Sequence, residues 1–115
     1  IHSLSHPVGA VYGTHHGTTN AVVMPMVLEF NRAAIEDRIN KAAAYLGFDG
    51  GFAGFHDQIM ELRTLLNIPA NLSAMGVQFG DLDMLTDMAL EDPSCGGNPI
   101  PMTRENTRAL FDACM

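Results

Sequence analysis

The chain has 115 residues, 47% of them apolar and 17% charged, which is room for one small domain with a genuine core and no more. Its 13 acidic and 6 basic side chains leave a formal charge of −7, and this argues against nucleic acid or an anionic membrane as partner, since both call for clustered Lys and Arg. The longest apolar run, Ala21 to Leu28, contains Pro25 and falls far short of the roughly 20 residues of a membrane-spanning helix.

The breakers fall in short clusters that cut the chain into helix-length pieces. Ile1, Leu4, Val8 and Val11 stand at helical spacing and predict a first helix ending at Gly13, with Pro7 as a kink or an early end. Thr18, Thr19 or Asn20 is placed to cap a second helix reaching about Asn31, apolar on most sides and interrupted at Pro25. Its Ala-Val-Val start favours a strand by propensity, but its length favours a helix. A third helix carries the stripe Ile35, Ile39, Ala42, Ala43 and Leu46 and ends at Gly47.

Gly47, Gly50, Gly51 and Gly54 follow no strand and read as a flexible linker, after which Phe52, Phe55, Ile59, Leu62 and Leu66 form another stripe closed by Pro69. Asp81 caps a helix with Leu82, Leu85 and Ala89 inward, ending at Pro93. Beyond the Gly/Pro-rich segment Ser94 to Pro101, Thr103 caps a last helix on which Thr107, Leu110, Phe111 and Cys114 share a face. No stretch alternates convincingly, so the expected fold is an all-α bundle of about five to seven helices in one domain, residues 1–115. Met24, Met26, Met60, Met75, Met84 and Met88 read as core filler, and the acidic residues Asp81, Asp83, Asp87, Glu91 and Asp92 as a solvated face. Two cysteines, Cys95 and Cys114, make no disulfide framework, and the opening residues do not read as a signal peptide; a cytoplasmic protein is expected.

Four of the five histidines lie in the first sixteen residues. His2 and His6 are four apart, so a helix stacks them one turn above each other, the arrangement by which two imidazoles are offered to one metal ion. His15 and His16 follow a Gly-containing turn that can return the chain past the same face. Imidazole suits zinc, iron, copper and nickel, and spacing alone leaves open which of the four histidines are ligands.

Read in full, His2-Ser3-Leu4-Ser5-His6-Pro7-Val8-Gly9-Ala10-Val11-Tyr12, then His16-Gly17, Asn20-Ala21, Met24-Pro25 and Phe30-Asn31, the segment resembles the C-terminal domain of the iron-containing (group III) alcohol dehydrogenases. Members typically read H-x-x-x-H-P-x-G-A-x-Y, then P-H-G-x-x-N-A, then L-P-x-V-x-x-F/Y-N. The likeness continues through Leu66-Asn67-Ile68-Pro69, Asp92 and Asn98-Pro99 and covers the whole chain. It implies the helical domain of the dehydroquinate synthase-like architecture and a divalent iron, in some members zinc, held by one aspartate and three histidines. Two of those ligands correspond to His2 and His16. His6 corresponds to a histidine beside the nicotinamide and substrate, a candidate proton relay or orienting group. His15 stands where the family has proline and reads as an exposed neighbour.

Ser94 and Ile100 replace the cysteine and arginine of the family's D-x-C-T-x-x-N-P-R loop, and Cys95 reads as an ordinary loop thiol. The remaining ligands, on a D-x-x-x-H helix, and the Rossmann-like domain that binds NAD or NADP do not occur in this sequence, so the resemblance implies a C-terminal fragment, inactive alone, of an alcohol-oxidising, aldehyde- or ketone-reducing homo-oligomer. Two readings compete with it: a non-catalytic helical interaction or oligomerisation module, and a zinc-dependent, glycerol-dehydrogenase-like relative.

Overall fold

The computed structural model describes residues 1–115 and contains five α-helices and no strand. These are α1 (His2–Tyr12), α2 (His16–Leu46), α3 (Gly51–Leu65), α4 (Leu82–Glu91) and α5 (Arg104–Ala113), with single 3-10 turns at Ser73–Met75, Phe79–Asp81 and Cys95–Gly97. The molecule measures 40 × 31 × 19 Å, so its thin dimension is about two helix diameters.

Local signals explain most of the ends. Gly13 and Gly47 adopt the left-handed conformation at φ 65° and 76° and terminate α1 and α2 as expected. Thr103 accepts from Asn106 N while the Asn106 side chain accepts from Thr103 N, a reciprocal capping box that starts α5. Asp81 occupies the N-cap position of α4, but its carboxylate does not cap the helix; it accepts the Tyr12 hydroxyl, whose oxygen in turn accepts from Gln78 N at 3.0 Å. Tyr12 thereby ties the end of α1 to the start of α4.

Neither proline breaks its helix. Pro7 and Pro25 are buried inside α1 and α2, where each removes one backbone bond, and the burial of Leu4 and Val8 and of Val22, Val23 and Val27 around them offsets the loss. The boundary expected between Asn31 and Ile35 is also absent. No Gly or Pro interrupts residues 26–46, and Arg32 reaches Glu36 at 2.8 Å across the expected break. The change of stripe that suggested two helices records a change of neighbour: the first half of α2 packs on the main core and the second half on α3.

One core lies between α1, the first half of α2, α4 and α5. Phe111, Leu72, Leu82, Leu85, Val8 and Val23 are fully buried there. Cys114 closes its edge, where burial pushes the thiol up to about 12, and Cys95 is half-buried; both are free thiols. The methionines do not fill this core as expected: Met26 and Met75 pack against its margin, and Met60 and Met84 are exposed.

The rest of α2 forms with α3 an arm in which Ala43 and Phe52 are the buried apolar side chains, the Arg32 guanidinium lying 4.6 Å from the Phe52 ring centre. Tyr45, Leu46, Leu62, Leu65 and Leu66 remain exposed on it. The glycines at its bend are not a flexible linker. Gly50 and Gly51 hold φ at 86° and 59°, and Asn40 Oδ1 accepts from Phe52 N at 2.7 Å to cap α3. At Gly54 a Cβ would stand 1.7 Å from the Asp49 carbonyl oxygen, so no side chain fits without moving the backbone. Gly54→Ala is expected to destabilise the arm by about 1–3 kcal/mol, read as a lowered Tm and loss of helical circular dichroism.

Candidate metal centre

α1 presents His2 at its first position and His6 one turn later, and α2 opens on His16. Gly13 turns the chain, and His15, extended at φ −67° and ψ 123°, carries it into α2. His15 is exposed, as expected, and also caps α2: its Nδ1 accepts from Thr18 N at 3.4 Å in place of the expected Thr or Asn cap. Thr19, one of the expected caps, is instead buried, its hydroxyl donating to the His15 carbonyl at 3.1 Å.

His2, His6 and His16 converge. Their ring centres form a nearly equilateral triangle with sides of 5.6 Å (His2–His6), 5.2 Å (His2–His16) and 5.3 Å (His6–His16). The Asn20 amide nitrogen approaches His2 Nε2 at 3.4 Å and His16 Nε2 at 3.0 Å, so the two ring nitrogens face one point. Asn20 is held in turn by Ser5, whose hydroxyl donates to Asn20 Oδ1 at 2.5 Å and is itself buried. The spacing of Asn20 four residues after His16 places the two on one face of α2, and that is the signal by which Asn20 is recognisable as part of the site.

His6 is turned differently. Its Nδ1 lies 2.8 Å from Asp92 Oδ2, and its ring stacks on His16 with 22° between the planes. Asp92, at the C-terminal end of α4, is not part of the solvated acidic face to which its sequence neighbours suggest it belongs. Its side chain is 13% exposed, and its other oxygen accepts from Ser94 N at 2.8 Å and Ser94 Oγ at 2.6 Å. Asp83 and Asp87, by contrast, are exposed and pair with Arg104 and Arg108. A cleft of about 230 Å³ opens beside the pair, lined by His6, Pro7, Ala10, Met88 and Asp92. A larger apolar hollow of about 290 Å³ between Phe48, Phe55 and Leu62 lies on the arm, away from the histidines.

The Ser94 hydroxyl first, and His6 after it, hold the Asp92 carboxyl down from the ordinary 3.8 to about 2. A depressed carboxyl contributes stability that is complete above its unfolded value and is lost as the pH falls through the folded one. The Asp92 contacts are therefore expected to persist at pH 4 and to fail toward pH 2. Ser94→Ala, which removes the largest cause, is expected to move that failure upward toward pH 4, measured by carboxyl NMR titration of Asp92.

Close as the three rings are, no group of three or more His, Cys, Asp or Glu side chains is arranged to hold a metal ion by itself. What the chain offers is two imidazole nitrogens aimed at one point, with a third imidazole beside them engaged by a carboxylate. That donor pair suits a first-row divalent ion whose other ligands come from elsewhere. Further residues of the recognised motifs have structural tasks: Asn31 Nδ2 donates to Asn98 Oδ1 at 2.9 Å and Asn98 Nδ2 to Asn31 Oδ1 at 2.8 Å, which fastens the late loop to α2.

Comparison with known proteins identifies the fold and the family. The model of the Fe-containing alcohol dehydrogenase family, C-terminal, matches residues 1–115. The chain is 29% identical over 118 residues to lactaldehyde reductase of Escherichia coli, with 96% of this chain and 31% of the relative covered. It is 32% identical over 118 residues to alcohol dehydrogenase 4 of Schizosaccharomyces pombe, covering 100% of this chain and 28% of that one. The crystal structure of a 1,3-propanediol oxidoreductase superposes with a TM-score of 0.91 at 26% identity, over 99% of this chain and 32% of the other. The chain thus spans about a third of the length of the relatives it matches.

Proposed function

The chain belongs to the iron-containing alcohol dehydrogenase family, and on that premise we propose that it is the metal-binding helical C-terminal domain of an NAD(P)-dependent alcohol dehydrogenase. The observation that carries this reading is the approach of His2 Nε2 and His16 Nε2 to the one amide of Asn20. In this reading His2 and His16 hold a divalent ion, iron or zinc, and the nicotinamide nucleotide is held by the part of such enzymes that this chain does not cover. When bound, the ion supplies Lewis acidity toward an alcohol oxygen and the nicotinamide supplies hydride chemistry.

This chain's own residues have distinct tasks. Asn20, braced by Ser5, donates to the same two Nε2 lone pairs that the ion would use, so its amide marks their common point and yields it when the ion binds. His6 handles the proton: Nδ1 is engaged by Asp92, while Nε2 has no partner within the chain and is free to take a proton from the alcohol and release it to solvent, the ring being substantially exposed. The cleft between His6 and Met88 gives the carbon chain of a small alcohol an apolar wall.

The test is made on the full-length protein with primary alcohols and NAD(P)+. Activity is expected to vanish on thorough chelation and to return with ferrous iron or zinc, in step with bound metal measured by elemental analysis. Activity undiminished by chelation overturns the reading.

A further inference from the structure

We propose that Asp92 is the positioning residue that sets the tautomer and aim of His6. The inference rests on the reading of His6 as the proton-handling group and adds what makes that group competent.

Three observations join. Asp92 Oδ2 stands 2.8 Å from His6 Nδ1, within direct hydrogen-bond range. The carboxylate does not swing freely, because Oδ1 accepts both the backbone N–H and the hydroxyl of Ser94 at 2.8 and 2.6 Å. The side chain is also largely shielded from water. An ionised carboxylate only accepts hydrogen bonds, so Nδ1 must carry the proton that it donates. In the neutral ring Nε2 is then the bare nitrogen, able to accept. Ser94 fixes Asp92, Asp92 fixes the ring, and the ring stacks on His16 within the histidine triangle. The residue that stands where the family's loop carries cysteine thereby acquires a task in this chain: Ser94 is the brace of the carboxylate.

The arrangement predicts an unusual consequence for a nearly isosteric change. In Asp92→Asn the Ser94 N–H still requires an acceptor, so the amide oxygen stays on Ser94 and the amide NH2 faces His6. A donor opposite Nδ1 forces that nitrogen to accept, and the proton moves to Nε2. The fold is kept and the tautomer is reversed.

The experiment uses the full-length protein labelled with 15N-histidine and loaded with diamagnetic zinc, with His6 assigned through His6→Gln. The wild type is expected to show His6 protonated at Nδ1, Asp92→Asn protonated at Nε2, and Asp92→Ala a mixture. Alongside, kcat is expected to fall about 10–100-fold in Asp92→Asn, with KM and bound metal little changed. Retention of the Nδ1 tautomer in both Asp92 variants overturns the proposal, whatever the activity. A reversed tautomer with undiminished kcat upholds the positioning role of Asp92 and removes His6 from proton handling, so the two readings fail separately.

Discussion

Replacement of His16 by alanine in the full-length protein is expected to strip the bound metal and lower kcat/KM by about 10³-fold or more, which corresponds to about 4 kcal/mol of transition-state stabilisation. His2→Ala is expected to do the same. The reason lies in the geometry: the two Nε2 atoms share one point, and with either ring gone a single imidazole from this chain remains aimed at it. His15→Ala is the contrast. It lies next to His16 in sequence but turns its ring back to cap α2 on Thr18, so it is expected to keep its metal and lose only a fraction of a kcal/mol of helix stability, about what a weak cap contributes. Elemental analysis of the three variants, with steady-state kinetics, checks the expectation; full metal content in both His2→Ala and His16→Ala would remove the ligand assignment.

The second large effect concerns the core that holds the site together. Phe111 is completely buried at the meeting of α4 and α5, and Phe111→Ala is expected to cost about 3–5 kcal/mol, a large share of the 5–15 kcal/mol that such a domain has. The loss reaches the histidines through packing. α4 carries Asp92 at its end and rests on α1, which carries His2 and His6. Loosening the core is therefore expected to weaken the His6–Asp92 contact as well. Leu65→Ala, on the exposed arm at 78% exposure, is expected to change stability by less than about 0.5 kcal/mol. Denaturant unfolding of the two variants under the same conditions measures both, and similar midpoints would contradict this account of where the stability resides.

The arm shows how a correct pattern yields an incomplete structure. The Ile35-to-Leu46 stripe and its Gly47 stop were legible because amphipathic spacing and a left-handed cap are local properties. The continuity of α2 through residues 31–35 was not, because the stripe turns to meet a different neighbour there and periodicity alone reads that turn as an end. The glycines misled in the same way: Gly54 is needed because the Asp49 carbonyl approaches it, a contact made only once the bend has closed.

Local sequence signals carried everything set within a turn or two of helix: the helical segments and most of their ends, the inward faces of α4 and α5, and the one-turn stacking of His2 on His6. The family motif likewise singled out His2, His6 and His16. How these residues act together is a matter of packing. His6 and Asp92 are 86 residues apart and Asn31 and Asn98 are 67 apart. Those pairings depend on the register in which α1, α2 and α4 pack and on how the late loop closes against them. That register is fixed by many interdigitating side chains at once, and no local spacing encodes it. The same physics made Asp92 read as one more acidic residue on a solvated face until packing placed it against a histidine.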